Sequence, residues 1–321
     1  MSDFKYSLLK KGKAICPECG RKTFVLYIDN NTGKPLHSAT GKCDRADNCG
    51  CHYTPKQYFN DNNILFNKEN YIPVKPMFKP QCKPSYVDVE LLKQSLRDYE
   101  ENGLIRYLYG IIGAEAVNEV ISRYFIGTSK HWSSSTVFWQ IDMNGKIRAG
   151  KIMQYDSRTG KRVKQPINKI SWVHTALKLP NFHLSQCLFG EHLLRDNTKM
   201  VAVVESEKTA IIASIYLPDM IWLACGGCGN LSMKFCKSLK SRNVVLFPDA
   251  GKYNEWSGKA KALSTFCSIS VSSLIEEKAS DEERKAGFDL ADYLVRFSPA
   301  ETEAAGNTTG TKQTIIDNLI K

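Results

Sequence analysis

Two groups of side chains in this 321-residue sequence have the types and spacing for chemistry. The first is soft. Cys16-Pro-Glu-Cys19 is followed, after 23 intervening residues, by Cys43, and Cys43-Asp-Arg-Ala-Asp-Asn-Cys49 closes the set. Tetrahedral zinc takes four such ligands, and a CxxC knuckle offers two thiolates from one turn. Cys51 and His52 stand just past Cys49, so the choice of fourth ligand stays open among the three. The segment around these residues is polar and roughly sixty residues long, a size that scarcely buries a core without a metal. A closed, structural Zn²⁺ is therefore expected at Cys16, Cys19, Cys43 and Cys49.

The second group is hard. Glu205 follows Val201-Ala-Val-Val204, Asp249 follows Val244-Val-Leu-Phe-Pro248, and Asp289 and Asp292 lie within Phe288-Asp-Leu-Ala-Asp-Tyr-Leu294. Carboxylates that converge from separate elements can hold Mg²⁺ or Mn²⁺, ions that prefer oxygen ligands and phosphate oxygens. Each acid alone could equally cap a helix; their joint placement points to a site. A further CxxC, Cys225-Gly-Gly-Cys228, lacks a second close pair and reads as a tight loop that lets backbone approach a neighbour closely.

The elements that must position these groups follow from periodicity. Thr23 to Ile28 reads as a strand and Asp29 to Gly33 as a turn, giving a strand pair between the two cysteine pairs. Residues 61–86, with Pro73, Pro76, Pro80 and Pro84, read as a linker. Between Val87 and Arg123 apolar residues recur at helical spacing, and two helices broken near Asn102-Gly103 are expected. Val137 to Asp142, the turn Met143 to Gly145, and Lys146 to Tyr155 form a hairpin, followed by a second turn at Asp156 to Gly160. From residue 200 strands and helices alternate: strands at 200–204, 220–224, 243–247 and 268–272, helices at 206–216, 231–241 and 256–266. Such alternation favours a parallel sheet covered by helices, whose ligands meet the carboxyl ends of the strands. Residues 298–321 read as a flexible tail.

Composition is that of a globular chain, 42% hydrophobic and 24% charged. No apolar run is long enough to span a bilayer, and the N-terminus lacks a signal-peptide core, so a cytoplasmic protein without a membrane partner is expected. The odd count of 11 cysteines fits metal ligands and buried thiols better than disulfides. Net charge is +11, and it is uneven: 16 basic against 11 acidic side chains in residues 1–100, 14 against 7 in 101–200, and 14 against 15 in 201–321. Lys146, Arg148, Lys151, Arg158, Lys161, Arg162, Lys164, Lys169 and Lys178 are opposed only by Asp156. A one-sided tract of this kind marks a polyanion partner, and nucleic acid leads. Tyr53, Tyr58 and Phe59 are candidates for stacking on bases, as are Trp132, Phe138, Trp139 and Trp172, although packing is the commoner role of such rings.

Val203-Val-Glu205-Ser-Glu-Lys, Leu246-Phe-Pro-Asp249-Ala-Gly and Asp289-Leu-Ala-Asp-Tyr-Leu294 resemble the motifs of the Toprim domain, the catalytic fold shared by bacterial-type primases, topoisomerases and some nucleases. The resemblance covers residues 187–297, and Cys187-Leu-Phe-Gly-Glu191 is similar to the segment that precedes Toprim in primases. A zinc ribbon (1–60), a linker (61–86), a basic α+β subdomain (87–186) and a Toprim domain in that order resemble the N-terminal part of a bacterial replicative primase, of the kind carried by mobile elements and phages. The resemblance implies a primase making short RNA primers on single-stranded DNA from nucleoside triphosphates. Glu205 and Asp249 would then be catalytic, and Glu205, Asp249, Asp289 and Asp292 would hold Mg²⁺ or Mn²⁺. Lys146, Arg148, Lys151, Arg158, Lys161, Arg162, Lys164 and Lys169 would lie against nucleic acid. No GxxxxGK[ST] motif occurs, so any replicative helicase would act in trans.

One position departs from the Toprim pattern. The family carries an acidic pair, DxD, where this chain has Asp249-Ala-Gly251. Asp289, Asp292 and Glu255 are the carboxylates available in its place. Two other readings therefore stay open: a non-catalytic DNA-binding accessory of replication or mobilisation with a degenerate Toprim domain, and a Toprim nuclease.

Overall fold

The computed structural model describes residues 5–9, 11–45, 49, 51–62, 64 and 83–297, in two compact units, Met1–Gln81 and Cys82–Lys321. Most of the expected linker (65–82) and the whole expected tail (298–321) lie outside the described residues.

In the first unit, strands β1 (Tyr6–Leu8), β2 (Phe24–Asp29), β3 (Gly41–Cys43) and β4 (His52–Tyr53) pair antiparallel in chain order. β2 is the β-branched and aromatic run that the sequence marks as a strand. The turn after it closes as expected: the Asp29 carboxylate accepts the Asn31 amide at 2.8 Å, and the Gly33 amide donates to the Asp29 carbonyl at 2.7 Å. Gly41 lies flat on Phe24, where a Cβ would run into the ring and the Val25 carbonyl. Helix α1 (Pro55–Asp61) starts at a capping box between Thr54 and Gln57 with proline in its first turn. The buried core of this unit is Phe24 with Cys16, Cys43 and Cys51, so thiols make up most of it.

The second unit opens with three helices rather than the two expected: α2 (Val89–Ser95), α3 (Gly103–Ile111) and α4 (Ala114–Tyr124). The break at Asn102-Gly103 is present, with the Asn102 side chain accepting the Ile105 amide at 3.3 Å. A further break comes at Gly113, whose φ of +109° no helix accommodates. Strands β5 (Gly127–Ser129), β6 (Ser135–Ile141), β7 (Ile147–Gln154) and β8 (Ile170–Trp172) form an antiparallel sheet in chain order, followed by the short helix α5 (Val173–Ala176).

Strand–helix alternation then takes over as expected. β9 (Val201–Val204), α6 (Glu207–Tyr216), β10 (Ile221–Ala224), β11 (Asn243–Leu246), α7 (Tyr253–Leu263) and β12 (Ser268–Val271) build a parallel sheet in the order β10-β9-β11-β12. Three short helices, α8 (Leu274–Lys278), α9 (Asp281–Ala286) and α10 (Leu290–Leu294), complete the unit. The helix expected at 231–241 is absent; its place is taken by turns and one 3₁₀ turn at Lys237–Leu239. Leu231, Cys236 and Leu239 are buried, which gives the segment its helical look. Its serines favour turns instead: Ser232 accepts the Phe235 amide through its side chain, and Ser241 has φ +61°.

Residues of the parallel strands alternate between two cores. Ala202, Val204, Trp222, Ala224 and Val245 face α4, α6 and α10, whereas Val201, Val203, Ile221, Leu223, Val244 and Leu246 face Trp256 and Leu263 of α7. The first of these cores also takes Phe138, Met153 and Tyr155 from the antiparallel sheet region, so both sheets share it. Phe189 bridges to Ala224 beside β10, which brings the segment Cys187–Glu191 against the parallel sheet.

Candidate zinc centre and candidate active site

Cys16 and Cys19 flank a tight turn in which the Gly20 amide donates to the Cys16 carbonyl at 2.9 Å, while Cys43 ends β3. Ligand atoms of Cys16, Cys19, Cys43 and Cys49 all lie within 4.8 Å of one another. Sγ of Cys16 and Cys49 are 3.6 Å apart, and those of Cys19 and Cys43 are 4.0 Å apart. Cys51 is buried beside the set but outside it, and His52 Nε2 is engaged with the Tyr27 hydroxyl at 3.0 Å. The geometry thus favours Cys49 as the fourth ligand. Burial works against Cys16 ionising, but amides of Cys19 and Glu18 with the neighbouring thiols outweigh it and bring the thiol to about 6. At Cys49 the Cys51 amide favours the thiolate, yet burial and the thiols of Cys16, Cys19 and Cys43 push it up to about 12. Thiols packed this closely resist ionising together without a cation, and this donor set suits tetrahedral zinc.

In the second unit, Glu205 stands directly past β9 and Asp249 three residues past β11, both at the carboxyl edge of the parallel sheet. Asp289 and Asp292 form a reciprocal capping box at the start of α10, with amide-to-carboxylate bonds of 3.0 and 3.3 Å. The other Asp289 oxygen accepts the Thr209 hydroxyl of α6 at 2.6 Å. The carboxylates feel one another. Burial, then Asp289, Glu205 and Asp292, push Asp249 up to about 8 against the opposing pull of Lys252. Burial also raises Glu205, with Lys252 and Lys151 opposing and Glu255 and Asp289 adding. Asp292 is raised by burial and Asp289, with Lys208 and Lys161 opposing. Among the described residues only the cysteine set packs three or more such ligand atoms within 4.8 Å, so these carboxylate oxygens stand further apart.

The basic tract divides by burial. Lys146, Arg158, Lys161, Lys164 and Lys178 are exposed, and Arg148, Arg162 and Lys169 are half-buried. Arg148 bonds Asp142 at 2.6 Å, and the Lys169 ammonium lies 5.3 Å from the Trp132 ring centre. The turn at 156–160, held by the Asp156 carboxylate on the amides of Thr159 and Arg158, packs Gly160 against the Tyr107 ring. It brings Lys161 within electrostatic reach of Asp292, while Arg162 acts on Tyr155 together with Glu207 and Asp289. Lys151 differs from the rest: it is buried, and its ammonium donates to both oxygens of Glu207 at 3.0 and 3.1 Å.

Sequence spacing missed Glu207, which is 2% exposed at the start of α6. On β7 Lys151 pairs with buried Phe138, so it faces the shared core and not solvent. The loop Cys225–Cys228 closes over the pair, with the Gly226 amide on the Glu205 carbonyl at 2.8 Å. Gly226 has φ +71°, and a Cβ there would sit 3.4 Å from Glu207 and 3.6 Å from Lys151. Gly251 has φ +78° and donates its amide to Glu276 at 2.8 Å. Of the candidate stacking rings, Phe138 and Trp139 are core; Trp132 and Trp172 are half-buried. Tyr53, Tyr58 and Phe59 contact one another within the ribbon, with Tyr6 and His37.

Residues 4–64 match the zinc beta-ribbon finger family, and residues 102–250 match a domain of unknown function (DUF6371). No curated protein matches the chain. Among solved structures, the chain is similar to the DnaG primase catalytic domain bound to ssDNA, at 17% identity and TM-score 0.41, over 67% of this chain and 75% of that one. It is similar to the primase fragment of the bacteriophage T7 primase-helicase protein, at 16% identity and TM-score 0.37, over 91% and 100%. It is also similar to the zinc-binding and RNA polymerase domains of Aquifex aeolicus primase, at 14% identity and TM-score 0.34, over 90% and 79%.

Proposed function

We propose that the chain is a primase-like nucleotidyltransferase that makes short RNA primers on single-stranded DNA for replication of a mobile element. Residues 187–297 act as its Toprim domain, 87–186 as its basic subdomain, and 1–60 as a ribbon that presents template. The observation that supports this reading is electrostatic. Mutually repelling carboxylates at the carboxyl edge of the parallel sheet, with Asp249 raised to about 8, are faced by Lys161, Lys208 and Lys252. Oxygen donors that resist ionising alone suit a divalent cation, and cations beside them suit the phosphates such an ion binds.

In this reading Asp249, Asp289 and Asp292 would hold Mg²⁺ or Mn²⁺, in part through the waters such ions keep, and the ion would supply charge neutralisation at the reacting phosphate. Thr209 fixes the orientation of Asp289. Glu205, raised by burial, takes the proton from the attacking hydroxyl. Lys161 and Arg162 receive the triphosphate and the template phosphates beside it, and exposed Lys146, Arg158 and Lys164 with Arg148 and Lys169 receive template. Lys151 holds Glu207. The test is nucleotide incorporation on circular single-stranded DNA with Mg²⁺ or Mn²⁺, alongside DNA binding. Labelled short products from the parent, lost in both Glu205→Ala and Asp249→Ala while binding survives, support the primase.

Gly251 favours a second reading, a DNA-binding accessory without catalysis, because no carboxylate stands two residues past Asp249. Binding without product in either metal selects it. Gly251→Asp then becomes informative: a Cβ there meets nothing within 4 Å, and aspartate tolerates positive φ better than most residues. Products gained by Gly251→Asp identify the missing carboxylate as the reason for inactivity.

A further inference from the structure

At the opposite, N-terminal edge of the parallel sheet lies a cavity of about 350 Å³ that neither the carboxylates nor the basic tract reach. It opens between the end of α4, the segment leading into β9, and the turn joining α6 to β10. Leu193, Pro218, Met220 and Ile221 give it apolar walls. Its charged lining is Arg123 and Lys199, with no acid among the lining residues. Three acids stand near this lining. Glu119 holds Arg123 through an exposed i,i+4 pair, which is worth little, and Asp196 sits 3.5 Å from Arg195; Asp219 adjoins the rim.

The rim is fixed before any ligand arrives. Arg242 donates to the carbonyls of Leu194 and Asn197 at 2.6 and 2.7 Å, and Asn197 accepts the Lys199 amide at 3.1 Å. The Lys199 ammonium rests on the Pro218 carbonyl at 3.3 Å, a neutral acceptor that an anion outcompetes. Tyr124 pins the far wall to β10 through the Trp222 carbonyl at 3.0 Å. An apolar, pre-formed recess of ligand-site size with a few convergent polar groups is what small-molecule pockets look like.

We propose that this cavity binds a small apolar molecule carrying a single anionic group, the body against Met220 and Ile221 and the anion on Lys199 and Arg123. Its mouth lies about 13 Å, four strand residues, from Glu205 along β9. It is therefore a second site, and it does not depend on the primase reading.

Calorimetric titration of the 321-residue chain with 2-naphthalenesulfonate tests the assignment, with 2-naphthol lacking the charge and inorganic phosphate lacking the body. One equivalent of the sulfonate should bind, and both controls should bind at least tenfold more weakly. Lys199→Glu, an exposed substitution, should weaken the sulfonate tenfold or more, whereas Asp249→Asn should leave its affinity unchanged. Ser214→Leu, which narrows the recess, should abolish binding if its melting transition shows it folded. The proposal is overturned by absence of binding at millimolar sulfonate, by affinity indifferent to Lys199→Glu, or by loss of affinity in Asp249→Asn.

Discussion

Asp249 carries the clearest physical signature of the candidate site. Its carboxyl is raised to about 8 in the fold by burial and by Asp289, Glu205 and Asp292, against roughly 3.9 in an unfolded chain. Between those values the folded state keeps a proton that the unfolded state has lost. This group's contribution to stability is therefore fully present below about pH 4 and is lost as pH rises through about 8, a change on the order of a few kcal/mol. Thermal melts of metal-free protein should show that decline, and Asp249→Asn should remove it and melt higher at pH 8. Mg²⁺ should stabilise the parent most at high pH, where the carboxylate is free to take a cation. A decline that persists unchanged in Asp249→Asn would show that another group governs the site. Much of this was legible in the sequence, since Glu205 and Asp249 each end a buried apolar run. The proton affinity was not, because it arises from Asp289 and Asp292 arriving from 40 residues further along the chain.

The elements were legible where local pattern and tertiary packing agree. β9, β10 and β11 are short apolar runs bounded by turn signals, and a fully buried parallel strand needs little else. The segment at 231–241 misled because burial of Leu231, Cys236 and Leu239 comes from neighbours in the fold and not from helical geometry. The buried pair Lys151–Glu207 could not be read locally at all: its partners are 56 residues apart, one on β7 and one opening α6. Buried pairs seldom add net stability over apolar replacements, but losing one partner strands a charge, at a cost of about 3–5 kcal/mol. Urea unfolding of Lys151→Met and of Glu207→Leu should show losses of that order, with the double variant recovering most of the stability. If nucleotide incorporation stays low in the recovered double variant, the pair orients Glu205 and the Gly226 loop; if it returns, the pair is structural only.

For the whole molecule, the two units rest on different sources of stability. The second buries extended apolar cores on both faces of a sheet, whereas the first has Phe24 and its thiols. Chelation of zinc, or Cys16→Ser, should therefore erase the ribbon's amide dispersion in NMR spectra and leave that of residues 83–297 in place. A ribbon that stays folded without metal would overturn the ligand assignment.

The charge asymmetry of the chain makes its own demand. The turn at 156–160 carries Lys161 and Arg162 toward the acidic cluster, with exposed Lys164 following, so phosphates held there would lie beside the carboxylates. Each phosphate contact on a single strand contributes about −0.7 to the slope of log affinity against log salt. Reversing charge at Lys161, Arg162 and Lys164 should therefore weaken single-strand binding and make that slope shallower by about 2. Reversing Lys146 and Lys178 alone, outside the turn, should lower affinity with incorporation per bound template preserved. Reversal in the turn should cost incorporation as well, because there the same cations face Asp292 and its neighbours. Equal effects from the two sets would move the triphosphate away from this turn and leave the basic tract as template contact alone.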